Sequence, residues 1–391
     1  MKWSMPTFKR ITVNTQYLSE IDGLRFLAIL PVIFIHLGTF YLRNNDVTWS
    51  VPLTQDPLYL LRRYCEIGVP IFYCLSGFIL SMPFGREILQ QKKKVSIKQF
   101  YGRRLTRLEP PYVIALTTFF FVHLIILKAP FWDTFQHYLA SLFYLHTLIY
   151  GEWSSILPVA WTLEIEVQFY LLAPFLARFF FTVKSTFRRI FIVLLICAFA
   201  AIELYFLDAL KPFHLDKTLL TKAHYFLSGI LLCDFFISEN SFFKSKTRLW
   251  DLVFVIGFFS SAAIRIAYGE GYYLDKMVFT VSLVLMFLAG FKGTMMNKVF
   301  TNPWVYLTGG MCYTLYLLHY PFFFFTGTFV GVFQATNIFA FNIIIQMLWN
   351  IPLLALIAVP FYLLIERPCM DRLWPQKLWA VVQKRLRLNR G

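Results

Sequence analysis

Three ionisable side chains lie within long apolar stretches of the sequence, where a charge is costly. With a rise of about 1.5 Å per helical residue, His36 lies about 9 Å below the outer end of its stretch, and Glu166 about 10 Å below the outer start of its own. His319, in a third stretch, shares the depth of His36. Because an imidazole beside a carboxylate is a tuned general base, this layer predicts a proton-handling site. The alternative is that backbone or water satisfies each group separately.

A second polar group is predicted at the inner face. Asp22 and Arg25 open the first apolar stretch, and Arg104 and Arg107 precede the third at a spacing that places them on one helical face. Arginine recognises phosphate through a planar bidentate fork, so the pair indicates a phosphate-bearing ligand at this face. The alternative is that these arginines only anchor helix ends. The small residues of the segment SGFILS, which includes Gly77 and Ser81, favour close approach of a helix or a ligand.

The composition defines the class of protein that must position these groups. The chain has 391 residues, of which 58% are hydrophobic and only 15% charged, and its mean hydropathy is +0.60. Apolar runs of about 18 or more residues are typical of spanning helices. We therefore predict an all-α, polytopic integral membrane helix bundle with about ten spans. The predicted spans are Ile21–Leu42, Tyr64–Phe84, Leu108–Leu127, Val159–Phe181, Ile190–Leu207, Leu219–Ile237, Leu249–Ala267, Tyr272–Phe291, Trp304–Phe325 and Phe339–Ile365.

The distribution of basic residues predicts the orientation. With both termini cytoplasmic, 28 of the 37 Lys and Arg residues fall on the inner side, as the positive-inside rule expects. The basic residues behind the net charge of +16 are thus interpreted as setting the orientation in the membrane, and no nucleic-acid partner is predicted. The segment Phe135–Tyr150 is interpreted as an outer-face helix that lies in the interface or re-enters the membrane. Residues 1–366 are assigned to the membrane domain and 367–391 to a basic cytoplasmic tail.

Other polar residues receive simpler interpretations. The six cysteines form no CxxC pair and lie near no histidine cluster, so neither a metal site nor a redox motif is predicted. Charged residues near helix ends are interpreted as reaching toward water; these are Lys222, Asp234, Arg265 and Lys276.

Six segments, in order along the chain, resemble the motifs of the membrane-bound acyltransferase family 3, bacterial O-acyltransferases that modify surface sugars. They are EIDGLRFLAILPVIFIHLG, GVPIFYCLSGFILS, RRLTRLEPPY, WTLEIEVQFYLLAP, YTLYLLHYP and YLLIERP. Two positions depart from the family pattern: Thr162 replaces the usual serine, and Arg367 stands where lysine is more usual. The chain ends about 25 residues after its last span and so resembles members without an added hydrolase-like domain.

The resemblance implies that the donor is an acyl-CoA, usually acetyl-CoA, and that it approaches from the cytoplasm. It implies as acceptor a hydroxyl of a glycan or glycolipid, at or beyond the outer face of the bacterial cytoplasmic (inner) membrane. It marks as functional positions Arg25, His36, Gly77, Ser81, Arg104, Arg107 and Glu366.

The residues and the resemblance together give a mechanistic hypothesis. CoA phosphates dock on the inner arginines, and the thioester approaches His36, which deprotonates the acceptor hydroxyl while Glu166 orients the imidazole. A covalent acyl-enzyme on His36 or a serine is the other chemistry left open. The alternative class is a secondary transporter or flippase with a proton-relay site, although no internal repeat is found.

Overall fold

The computed structural model describes residues 8–11, 17–44, 49–239, 242–243, 245–268, 273–330, 334–371, 373–377, 379 and 383. Within these ranges the chain is helical, and the only bridge between extended segments joins Thr247 to Gly293. The helices are α1 (Ser19–Arg43), α2 (Pro57–Tyr64), α3 (Gly68–Leu89), α4 (Ile97–Ile125), α5 (Phe131–Leu142), α6 (His146–Tyr150), α7 (Trp161–Thr182), α8 (Ser185–Tyr205), α9 (Leu207–Leu210), α10 (Leu219–Ser238), α11 (Arg248–Tyr268), α12 (Tyr273–Lys292), α13 (Thr294–Phe300), α14 (Pro303–Gly310), α15 (Cys312–Phe325), α16 (Phe339–Phe361) and α17 (Arg367–Cys369). The π-helical turns Thr326–Val330 and Tyr362–Glu366 extend α15 and α16.

The helices agree with the predicted class of an apolar helix bundle. Six helical segments among the described residues are long and apolar enough to cross a membrane. A seventh is added if α8 and the bent segment that follows it, at 75°, form one broken span. The count of ten spans and the cytoplasmic location of both termini stay predictions. So does the domain boundary at residue 366, since most of 378–391 lies outside the described residues.

The structure corrects one predicted span and shows how one predicted outer-face segment is built. The predicted span Trp304–Phe325 is not one helix, because it breaks at Met311, between α14 and α15. The segment Phe135–Tyr150 contains the second part of α5 and all of α6, which are separated by a turn with Tyr144 at a φ of 59°. At about 1.5 Å per residue, α5 is roughly 18 Å long and cannot cross a hydrocarbon core of about 30 Å. The segment therefore does not form a single span, and its location at the outer face stays a prediction.

Helices α3 and α10 cross at two glycines that allow their backbones to touch. A Cβ atom on Gly77 would lie 2.0 Å from the carbonyl oxygen of Phe226, and one on Gly229 would lie 2.0 Å from that of Cys74. Ser81 is also buried, and its hydroxyl donates to the carbonyl of Gly77 at 2.7 Å. These small residues therefore serve helix packing, the first of the two interpretations of the SGFILS segment.

This close crossing predicts a stability effect at Gly77. Gly77→Ala forces α3 and α10 apart, so we expect a lower melting temperature and a reduced yield of folded protein in detergent. Gly102→Ala is the matched control, because a Cβ there meets no atom within 4 Å, and alanine stabilises a helix by about 0.5–1 kcal/mol relative to glycine. An unchanged melting temperature for Gly77→Ala, with weakened CoA binding, would instead assign Gly77 to a ligand site.

Several charged residues that the sequence predicts to reach toward water form ion pairs inside the bundle instead. Asp234 is fully buried and accepts from Arg188 Nε at 3.0 Å and from Arg189 Nε at 2.6 Å. Glu203 of α8 is paired with Lys222 of α10 and, at 3.3 Å, with Lys276 of α12. The interpretation of Lys222, Asp234 and Lys276 as helix ends that reach toward water is therefore wrong, and the side chain of Arg265 lies outside the described part of the structure. The partners of the first three come from other helices, which satisfy the charges inside the bundle.

Candidate active site

A cavity of about 1480 Å³, open on one side, is lined mainly by α1, α3, α4, α7 and α15. Its lining carries two carboxylates, Asp22 and Glu166, and nine cationic side chains. The cations are Arg10, Arg25, Arg86, Lys92, Lys93, Lys94, Arg103, Arg104 and Arg107. This excess of positive charge favours an anionic ligand with several charges.

Arg104 and Arg107 both line the cavity, as their spacing on α4 predicts. The guanidinium of Arg104 lies over the ring of Phe100, 3.8 Å from its centroid, and donates to the Phe100 carbonyl at 3.3 Å. The Nε of Arg107 is buried and has no hydrogen-bond partner among the described residues. A buried donor without a partner is costly, so Arg107 is prepared for a ligand oxygen.

Asp22 and Arg25, which the sequence places at the inner face, contact each other at the start of α1. Arg25 donates to Oδ1 of Asp22, one turn before it on α1. The same oxygen accepts from Nη1 of Arg10 at 2.8 Å, and Oδ2 accepts from the hydroxyl of Tyr17 at 2.9 Å. Arg10 lies in a segment with no motif, so its spacing gives no sign of a function.

Glu166 lines the cavity beyond the arginines. Its Oε1 accepts from the hydroxyl of Ser76 at 2.9 Å, and its Oε2 accepts from the hydroxyl of Tyr170. These partners come from α3 and from the next turn of α7. The prediction that Glu166 orients His36 is wrong in geometry, because equal depth in the membrane does not place two side chains on the same side of a bundle.

His36 is paired instead with His319, the third residue predicted in this layer. Nδ1 of His36 lies 2.9 Å from Nε2 of His319, and Nδ1 of His319 lies 2.9 Å from the carbonyl oxygen of Leu315. A carbonyl only accepts, so Nδ1 of His319 carries its proton. In the neutral ring, Nε2 then accepts from Nδ1 of His36. This assignment leaves the lone pair of His36 on Nε2, as a general base requires.

Tyr316 lies between the cavity and the two histidines. It lines the cavity, and its ring centroid is 5.9 Å from that of His319. Its hydroxyl donates to the carbonyl of Val159 and pairs with the hydroxyl of Thr162 at 2.5 Å. The threonine thus uses the same hydroxyl group that the usual serine would supply.

Four predicted positions do not line this cavity in the described structure: His36, Gly77, Ser81 and Glu366. Gly77 and Ser81 face α10 at the crossing described above. Oε2 of Glu366 accepts from the backbone N–H and the hydroxyl of Thr314, at 3.0 and 2.6 Å. Glu366 therefore joins the end of α16 to the start of α15, and its assignment to donor binding has no support in this geometry.

The chain belongs to the acyltransferase family. The family model, described as an acyltransferase domain, matches residues 18–367. This range contains the histidine pair and most of the cavity lining, whereas Arg10, Ile11, Tyr17, Cys369 and Met370 lie outside it. No solved structure matches the chain.

Two relatives show what this chain resembles. It is 24% identical to O-acetyltransferase OatA of Staphylococcus aureus (strain NCTC 8325 / PS 47), over 92% of this chain and 59% of that protein. It is 26% identical to the peptidoglycan O-acetyltransferase OatA of Listeria monocytogenes serovar 1/2a, over 80% of this chain and 50% of that protein. The chain thus matches only about half to three fifths of these relatives.

Proposed function

We propose that this chain is a multi-pass O-acetyltransferase of the bacterial cytoplasmic membrane. It transfers an acetyl group from cytoplasmic acetyl-CoA to a hydroxyl of a glycan or glycolipid on the outer side. The observation that carries the proposal is a cavity that runs from the arginines to Tyr316, whose ring centroid is 5.9 Å from that of His319, the partner of His36. The family match and the O-acetyltransferase relatives support the same chemistry.

The cavity lining suggests how the donor is held. The phosphates of CoA contact Arg104 and Arg107, whose forks suit phosphate oxygens. The pantetheine arm carries amide N–H groups, and the carboxylate of Glu166 has lone pairs beyond those used by Ser76 and Tyr170. We therefore assign Glu166 to the amides of the arm, in place of its predicted role beside His36. The thioester then lies near Tyr316.

The chemistry assigned to His36 is general-base catalysis. Its Nε2 takes the proton of the acceptor hydroxyl as the oxygen attacks the thioester carbonyl. The tetrahedral intermediate collapses with cleavage of the carbon–sulfur bond, and the imidazolium returns its proton to the leaving thiolate. The products are the acetyl ester and CoA. His319 holds Nδ1 of His36 as a donor, so that Nε2 is basic.

The arginines of α4 provide the test of the donor site. We expect Arg104→Ala or Arg107→Ala to weaken CoA binding by about 10- to 100-fold, since a hydrogen bond to a charged group is worth about 1.5–3 kcal/mol. Lysine at either position restores binding only in part, because a point charge cannot reproduce the bidentate fork. Titration calorimetry of the protein in nanodiscs measures the affinity.

The matched control is Lys98→Ala, which removes the same charge from the first turn of α4 at an exposed residue outside the cavity lining. It should bind CoA like the wild type. If the two arginine variants also bind CoA like the wild type, the donor does not use this cavity.

A further inference from the structure

The segment of residues 8–11 lies at the arginine-rich end of the cavity and is held from two sides. The carbonyl of Phe8 accepts from the hydroxyl of Tyr362 at 3.0 Å, and the carbonyl of Lys9 accepts from Nε of Arg367 at 3.1 Å. The ammonium of Lys9 lies 4.4 Å from the ring centroid of Tyr17, just before α1. These contacts hold the two residues that precede Arg10.

Arg10 extends from this segment into the cavity lining. Its side chain is only 7% exposed, and its Nη1 donates to Asp22 at 2.8 Å. Its Nε is buried without a hydrogen-bond partner among the described residues. A guanidinium buried with an unused donor indicates a missing acceptor, because an unpaired buried donor has lost its hydrogen bond to water.

Two glycines make room for this arrangement at the end of α14. A Cβ atom on Gly309 would lie 1.8 Å from the carbonyl oxygen of Asp22, so only glycine lets α14 approach α1 this closely. A Cβ atom on Gly310 would lie 3.2 Å from Cγ of Arg10. The backbone thus places the carboxylate and the guanidinium together.

Two buried carboxylates, Asp22 and Glu366, act electrostatically on Arg10. Asp22 Oδ1 accepts from both Arg10 and Arg25, so two guanidinium groups share one carboxylate. Tyr17 also donates to Asp22, and burial raises the pKa of the Tyr17 phenol, so it adds no negative charge. Glu366 uses Oε2 for the backbone and hydroxyl of Thr314, so Asp22 is the carboxylate that is hydrogen-bonded to both guanidinium groups. The carboxylate holds the two forks in place before a ligand arrives, which reduces the entropy lost on binding.

We propose that Arg10 and Arg25, held by Asp22, form a phosphate-binding site for the acyl donor, and that the N-terminal segment supplies a donor-binding residue from outside the family domain. The inference rests on the proposed function. Phosphate suits this site because the guanidinium groups of Arg10 and Arg25 both lie at Oδ1 of Asp22, and the unpaired Nε of Arg10 can donate to a phosphate oxygen. Both the diphosphate and the 3′-phosphate of CoA have this chemistry.

Titrations of the full chain in nanodiscs with CoA and with dephospho-CoA test the proposal. Arg10→Ala should weaken CoA binding by about 10- to 100-fold, and Lys98→Ala, again the charge-matched control, should not. If Arg10 contacts the 3′-phosphate, the variant loses the preference for CoA over dephospho-CoA. If it contacts the diphosphate, both ligands weaken equally. Either result supports the site.

Two further results would overturn it. If Arg10→Ala binds both ligands like the wild type while Arg107→Ala is weakened, Arg10 is a structural partner of Asp22 and the proposed donor cavity stands. If the wild type binds neither ligand, the donor site and this inference fail together. Arg10→Lys keeps a charge beside Asp22, so it answers the same question if the alanine variant does not fold. It should still bind CoA less tightly than the wild type, at an unchanged melting temperature.

Discussion

His36→Gln should leave a folded protein that binds CoA but no longer transfers an acetyl group. General-base catalysis contributes about 10²–10⁴-fold in rate, and an amide cannot take a proton. CoA binding should persist, because the phosphates are assigned to the arginine-rich end of the cavity and His36 is not among the residues that line it. Release of CoA from acetyl-CoA by purified protein, with a membrane extract as acceptor source, measures the transfer. His36→Ala should be equally inactive.

The matched control for this change is His123→Gln. It makes the same replacement on a membrane helix, α4, at a histidine that is not among the residues lining the cavity. This variant should turn over acetyl-CoA at the wild-type rate. If His36→Gln were active, His36 would be a buried structural contact and the base would have to be another group.

His319→Ala should lower kcat on the order of 10²-fold, less than the complete loss expected at His36. The imidazole of His36 would keep its basic nitrogen but lose the acceptor that His319 supplies to Nδ1, so that among the described residues only the backbone of Val32 would remain as a hydrogen-bond partner. The KM for acetyl-CoA should change little, because His319 is not among the residues lining the cavity. Steady-state kinetics separate the two parameters.

Glutamine at position 319 tests whether the role of His319 is positioning. Its amide oxygen can accept from Nδ1 of His36, so His319→Gln should recover part of the kcat lost in His319→Ala. A purely structural role would give equal losses in both variants, together with a lower melting temperature and weaker CoA binding. That outcome would remove His319 from the mechanism.

Periodicity and charge in the sequence predict much of this architecture. Long apolar runs predict helices such as α1 and α7 to within a few residues, because burial in lipid requires continuous apolar helices. The spacing of Arg104 and Arg107 predicts a shared face, since the geometry of one helix is fixed by the chain itself.

The sequence does not predict which side chains of different helices contact each other. Equal depth along the membrane normal predicts one layer that contains His36, His319 and Glu166. In the structure, His36 and His319 are hydrogen-bonded to each other, whereas Glu166 has other partners. The rotation of each helix, which depends on close packing at residues such as Gly77, decides which side chains face each other. Arg10 carried no signal beyond its charge, because its function depends on contacts with residues far along the chain.

Mass spectrometry of envelope glycans tests the central claim most directly. Glycans from cells that lack this chain are compared with those from cells that carry the wild type or the His36→Gln variant at equal membrane levels. The account predicts O-acetyl groups on a glycan hydroxyl with the wild type, and none with the other two. Equal acetylation in all three samples, or full acetylation with His36→Gln, would contradict it and would favour the alternative of a transporter or flippase.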